Sequence, residues 1–213
     1  SALVDWLSRD DRVFALLPPR ELAALDKDYR AARGKHVPVL DMSSTRLLLA
    51  TSALGPGERD VNPIARDVLS TPFPKSPGHP MQVNFEDKLV LLGWDVVSPA
   101  GPGTLKRGAD FTLTTYWKCT APLPQSYKMF VHIDGKGPRI SGDHDPLSGA
   151  YPTMHWNTGD YIRDVYEGSI AAVQESGSYT IRTGLYRGDK RLTVIGDASA
   201  AQNSVLLGTV PLE

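Results

Sequence analysis

Apolar positions recur with two different periods along this chain, and the change falls near residue 54. In PPRELAALDKDYRAARG (18–34), Leu22, Leu25, Tyr29 and Ala32 are spaced by 3, 4 and 3, which lines one face of a helix. Pro19 suits the first helical turn, and Glu21 lies near the positive end of the dipole. Arg30, Arg33 and Lys35 lie near the negative end, and Gly34 stops the helix. Upstream, residues 3–9 read as the tail of a helix through Leu3, Val4, Trp6 and Leu7. RVFALLP (12–18) reads as a short buried strand. HVPVLDM (36–42) and TRLLLATSA (45–53) read as two strands around a Ser43-Ser44 turn. Residues 1–54 are therefore expected to form a small α/β unit. The chain opens inside an amphipathic pattern, as a fragment of a larger protein would.

Residues 55–82 have no sustained period. GPGERDVNPIARDVLSTPFPKSPGHP carries six prolines and reads as a linker or an ordered extended arm, not a helix. Beyond it the pattern is strand and turn. In FTLTTYWKC (111–119), Phe111, Leu113, Thr115 and Trp117 face one way, and Thr112, Thr114, Tyr116 and Lys118 the other. Further strands are expected at 88–97, 127–134, 161–170, 178–186, 191–196 and 204–212. Residues 83–213 thus predict an antiparallel, jelly-roll-like β-sandwich, making the chain α+β overall. Helical period in one part and alternation in the other predict two separate cores.

Composition agrees. Gly 19 and Pro 17 in 213 residues supply the turns of a many-stranded fold. Lys+Arg 23 against Asp+Glu 24 leaves a net charge of -1, so the general phosphate attraction that drives nucleic-acid binding is missing. No signal peptide is recognisable within these residues, and they contain no apolar run of membrane-spanning length. The single cysteine, Cys119, excludes an intramolecular disulfide and reads as a small buried hydrophobe. There is no GxSxG elbow, no GxGxxG after a strand and no P-loop, and no cofactor is implied.

SGDHDPLSGAYPTMHWNTGDYIRD (141–164) gathers Asp143, His144, Asp145, His155, Asp160 and Asp164 around Trp156. Three readings stand. Asp143 and Asp145 offer hard oxygens to calcium, although Ser148 replaces the EF-hand Gly and Met154 the bidentate Glu. His132, His144 and His155 offer imidazoles to zinc, without HxxxH or HExxH spacing. In the third reading the loop is structural. Asp143 and Asp145 then bond backbone amides, and His144 and Trp156 fix the turn against Tyr151-Pro152-Thr153. Asp134, Asp143 and Asp160 also offer carboxylate pairs of the glycosidase kind.

Trp94, Trp117, Trp156, Tyr116, Tyr127, Tyr151 and Tyr186 fall in the second part. Sugar C–H faces stack on such rings while acids and amides take the hydroxyls. Trp117 shares a stripe with Phe111 and Leu113 and reads as core. Trp156 stands in a polar, loop-like context. A glycan contact is therefore expected to centre on Trp156 with Tyr151 beside it, and with His144, Asp145 and Asp160 as hydrogen-bonding partners.

The elements Asp143-His144-x-Pro146, Gly149-x-Tyr151-Pro152-Thr153, Trp156, Gly159, Ile162 and Asp164 recur in a known setting, as do Gly184-Leu185-Tyr186 and Arg191-Leu192. The sequence resembles the soluble C-terminal region of bacterial polytopic membrane glycosyltransferases of the dolichyl-phosphate-mannose-protein mannosyltransferase type. RVFALLPPRELAAL and the strand pair after it look like the piece following the last membrane helix. The resemblance implies an extracytoplasmic, periplasmic-face location, tethered to the inner membrane through a membrane body on the same polypeptide. It implies a glycan or lipid-linked sugar acceptor as partner. That family's catalytic acids lie in the membrane body and match nothing here, so the resemblance transfers no catalytic residue. The expectation is a non-catalytic domain that positions or recognises glycan. A protein-contact sandwich of the envelope and a carbohydrate hydrolase are the alternatives.

Overall fold

The computed structural model describes residues 1–197 and 200–213. Helix α1 (Ala2–Leu7) starts at Ser1, whose Oγ accepts from the Val4 amide. Strand β1 (Phe14–Leu17) leads through a 3-10 turn at Pro19–Glu21 into α2 (Leu22–Arg33). Gly34 ends α2 in the left-handed region (φ 68°), its N–H bonded to the Arg30 carbonyl at 2.8 Å. Leu22, Leu25 and Tyr29 are buried as their spacing predicts, but Ala32 is exposed and Asp26 is buried. Measured from Leu22 at about 100° per residue, the buried positions run from about −60° (Leu25) to about +100° (Ala23), so Asp26 at about +40° falls within the buried arc and Ala32 at about −80° just past its edge. Strands β2 (Val39–Asp41) and β3 (Leu48–Thr51) join β1 in a sheet of order β1-β3-β2, antiparallel throughout.

The proline-rich arm departs from expectation, because it contains a helix. Helix α3 (Pro63–Asp67) is capped by Asn62, whose side chain accepts from the Ile64 amide at 2.9 Å, with Pro63 in the first turn. Asn-Pro is a helix-start signal. Five residues are simply too few to show a period. Buried Asp26 organises the approach, accepting from the Val37 amide at 3.0 Å and from Asn62 Nδ2 at 3.2 Å. Strand β4 (Val68–Leu69) follows, and then β5 (His79–Phe85), which begins inside the predicted arm. Pro80 is tolerated in β5 because the neighbour on its open side pairs only with Asn84 and Phe85.

The remaining strands are β6 (Leu89–Ser98), β7 (Gly101–Pro102), β8 (Asp110–Cys119), β9 (Lys128–Asp134), β10 (Ile140–Ser141), β11 (Tyr161–Ser169), β12 (Gly177–Arg187), β13 (Lys190–Arg191), β14 (Val194–Ile195) and β15 (Val205–Leu212). One sheet runs β14-β5-β6-β8-β11-β4, with β7 on β6. The other runs β10-β9-β12-β13, with β15 on β12. The ladders are antiparallel and consistent with a β-sandwich. The single strand expected at 191–196 is two: β13 pairs with β12, while β14 pairs with β5 in the opposite sheet. The chain turns a corner at Leu192-Thr193, where buried Leu192 donates to the Leu185 carbonyl and the Thr193 carbonyl accepts from Glu86.

Phe111, Leu113 and Trp117 point inward together as their alternation predicts, and the Trp117 indole donates to Thr115 Oγ1 at 2.8 Å. Cys119 is buried, which pushes its thiol pKa up to about 12 and leaves it inert as a nucleophile. Among the described residues the buried apolar side chains other than Phe130 form one connected cluster from Val4 to Leu212, not the two expected. The reason is that α2 packs against the 3-10 turn Thr153–His155, so the loop before β11 bridges the two parts. Among the described residues no helix is long and apolar enough to cross a membrane.

Candidate functional site

The polar stretch at 141–164 folds inward. Asp160 is 2% exposed and receives both guanidinium nitrogens of Arg30, at 2.5 and 3.2 Å. The Tyr151 hydroxyl and the Asn157 amide each donate to the same carboxylate at 2.9 Å. Trp156 has no exposed surface, and its indole N–H donates to the Tyr151 carbonyl at 2.9 Å. Tyr151 is also fully buried. A sugar needs an open ring face, so Trp156 and Tyr151 form no stacking platform. Asp160, committed to Arg30, has no free oxygen to offer a hydroxyl. These three residues weld α2 to the sandwich.

The acid that organises the turn is Asp164, not Asp143. Asp164 is buried, accepts from the Leu147 amide at 2.8 Å, and lies 2.8 Å from His144 Nε2. It thereby holds Leu147 and Ser148 at φ 51° and 53°, the left-handed region that side chains resist. Asp143 is exposed, and among the described residues its one hydrogen-bond donor is the Tyr186 hydroxyl, at 3.0 Å. Among the described residues it satisfies no buried amide. Asp143→Ala should therefore unfold within about 0.5 kcal/mol of wild type in a denaturant titration.

His144 Nδ1 lies 2.9 Å from the Gly142 carbonyl, so both ring nitrogens face acceptors. Burial alone would lower its pKa. The hydrogen bond and charge of Asp164, the Gly142 carbonyl and the charge of Asp145 outweigh that and hold it above the ordinary value. A raised folded-state pKa stabilises fully below the unfolded value near ~6.5. That contribution is lost as pH rises through the folded pKa. The melting-temperature advantage of wild type over His144→Gln should thus shrink from pH 5.5 to 8.5. A constant difference would show that the imidazolium contributes nothing.

The other sequence readings scatter. Among the described residues no three His, Cys, Asp or Glu side chains are placed to hold a metal ion, so His132, His144 and His155 do not converge. Exposed Asp145 pairs with Lys128 at 3.5 Å, while Asp143 is held by Tyr186, so the two share no calcium-like cage. Asp134 is engaged by Arg139, and Asp160 by Arg30, so the hydrolase acids sit in separate networks.

A concave, chemically mixed site lies instead on the outer face of the second sheet. On β9, Met129, Val131 and Ile133 point into the core, which sends Phe130 and His132 outward. On β12 the same alternation sends Arg182, Gly184 and Tyr186 outward. Phe130 stands directly across from Gly184. A Cβ at Gly184 would come within 2.7 Å of the Phe130 ring, so glycine is what lets that ring lie against the sheet. Phe130 is buried without joining the main apolar cluster. Its cover is the Arg191 guanidinium 4.5 Å from the ring centroid, with His132 at 4.8 Å and Tyr186 at 6.3 Å.

These side chains, with Asp143 and the Gly188-Asp189 turn, enclose about 230 Å³. Burial, followed by the hydrogen bond to Asp143 and the charges of Asp143 and Asp145, raises the Tyr186 pKa. Burial first, and then the Arg139 charge, lowers that of His132, so its imidazole is neutral at pH 7 and offers one donor and one acceptor. The pocket thus combines a half-buried ring, a carboxylate, a guanidinium and a neutral imidazole. A larger groove of about 580 Å³ runs past Arg66, Arg163 and His144. Its cationic groups are already engaged, both arginines on Asp67 and His144 on Asp164.

Of the five residues expected to bind glycan, only Asp145 reaches the neighbourhood of this pocket, acting on Tyr186 through its charge. Phe130 was missed. Tyr186, His132, Asp143 and Arg191 stand out singly in the sequence, but their convergence depends on the pairing of β9 with β12. Compared with known protein families and with curated proteins, the chain has no match.

Proposed function

We propose that this chain is the non-catalytic, extracytoplasmic part of a membrane glycosyltransferase, tethered to the inner membrane by a membrane body on the same polypeptide. In this reading a jelly-roll-like sandwich carries a small N-terminal α/β unit and recognises or positions a glycan or lipid-linked sugar acceptor. The observation that carries it is the outer-face pocket, where Tyr186 is oriented by Asp143 beside Arg191 and His132. A pocket of this size suits one sugar ring rather than a drug-sized ligand, which needs roughly 300 Å³ or more. The resemblance of the Gly184-Leu185-Tyr186 and Arg191-Leu192 segments to the transferase family supports the same assignment.

The test is a glycan-array and calorimetric survey of the wild-type chain against Tyr186→Ala. Loss of binding in the variant at an unchanged melting temperature supports the reading. Wild-type protein that binds no envelope glycan overturns it, and sugar release during the survey favours a hydrolase.

One observation favours protein contact as a second reading. On β1, Phe14 is 47% and Leu16 68% exposed, with Trp6 at 43% beside them. Three large apolar side chains together on one surface suit a partner. Concentration-dependent association abolished by Leu16→Lys would support it.

A further inference from the structure

Arg191 also lines a second depression of about 660 Å³, and the two sides of Arg191 differ in charge. On the Tyr186 side the ionisable groups beside Arg191 are Asp143, Asp189 and the neutral His132. On the far side they are Arg187, Lys190, Glu86 and the phenol of Tyr127. Glu86 is already engaged, by the Lys88 ammonium at 2.9 Å and the Thr193 amide at 3.1 Å. Arg187 and Lys190 are exposed and directly opposite one another across the β12–β13 pairing. Like charges at opposed positions destabilise a strand pair. Among the described residues neither joins an ion pair that would relieve this. Arg191, between the two sides, is held by the Gln202 carbonyl at 3.0 Å and by the Phe130 ring, so its fork is oriented before any ligand arrives.

We propose that the ligand is an acidic saccharide. One sugar ring sits against Tyr186 with its hydroxyls on Asp143 and His132, and its anionic substituent lies on the Arg191 guanidinium, with Arg187 and Lys190 adding positive potential from the other face of the hairpin. This rests on the glycan reading of the pocket and adds the charge class. The shared chemistry is an oxyanion attached to a sugar, and its source is either a uronic acid carboxylate or a sugar phosphate. Guanidinium groups hold both through charge-assisted hydrogen bonds.

Calorimetry on the wild-type chain at low salt separates the possibilities, with glucose, glucuronic acid, glucose 1-phosphate and inorganic phosphate as probes. At least one acidic sugar should bind about tenfold or more tighter than glucose, with the margin falling as salt is added. The tighter of the two acids names the source. The double variant R187A/K190A, altered only at exposed positions, should keep its melting temperature and its glucose binding while narrowing that margin. Glucose binding as tightly as both acids overturns the charge assignment and leaves the glycan reading standing. Inorganic phosphate binding as tightly as glucose 1-phosphate also overturns it, because the site then reads an anion and no sugar. Binding of none of the probes by wild type defeats the glycan reading and this inference together.

Discussion

Arg30→Ala is expected to lower the unfolding free energy by about 3–5 kcal/mol, because it strands a buried carboxylate. Asp160 is 2% exposed and loses both guanidinium contacts at once. The Tyr151 hydroxyl and the Asn157 amide remain, but neither carries charge. A domain of ordinary stability has about 5–15 kcal/mol in total, so the loss would be visible at room temperature. Arg30→Lys keeps the charge without the fork and should recover only part of it. Denaturant titration measures both. The double variant R30A/D160N should be less destabilised than the two single variants summed, since removing both partners leaves no orphaned charge. A loss below about 1 kcal/mol for Arg30→Ala would mean that Asp160 is effectively solvated.

Trp156→Ala should cost a similar amount, about 3–5 kcal/mol, through the cavity it opens. The ring has no exposed surface, and its N–H is spent on the Tyr151 carbonyl. Trp156→Phe should cost less, since it refills most of the volume and forfeits one hydrogen bond. A plug loses melting temperature and keeps pocket binding in the folded fraction, whereas a sugar platform does the opposite. Wild-type stability in Trp156→Ala would remove the ring from the core.

The elements legible in the sequence are those whose signals are local. The buried stripe of α2 and its Gly34 stop lie within a few residues of one another. The Phe111-Leu113-Trp117 stripe lies within one strand. The Asn62-Pro63 helix start was equally local but too short to show a period.

The loop at 141–164 misleads for a physical reason. Acids, imidazoles and a tryptophan crowded in a turn-rich stretch have the composition of a binding site. The same composition serves a loop that must satisfy its own amides when buried. Which of the two holds depends on Arg30, 130 residues before Asp160 in the chain. No pattern within the loop announces that partner.

Periodicity and turn residues by themselves determined that this protein is a strand-rich fold with one amphipathic helix near its start. Hydrophobic burial acts at every second or every third to fourth position, and so writes itself into neighbouring residues. Only the tertiary structure decided that the apolar residues share one core, that Trp156 is a plug, and that Phe130, Tyr186, Asp143 and Arg191 meet. Strand register and long-range ion pairs join positions far apart in the chain. Their energy comes from geometry between segments, which no single segment encodes.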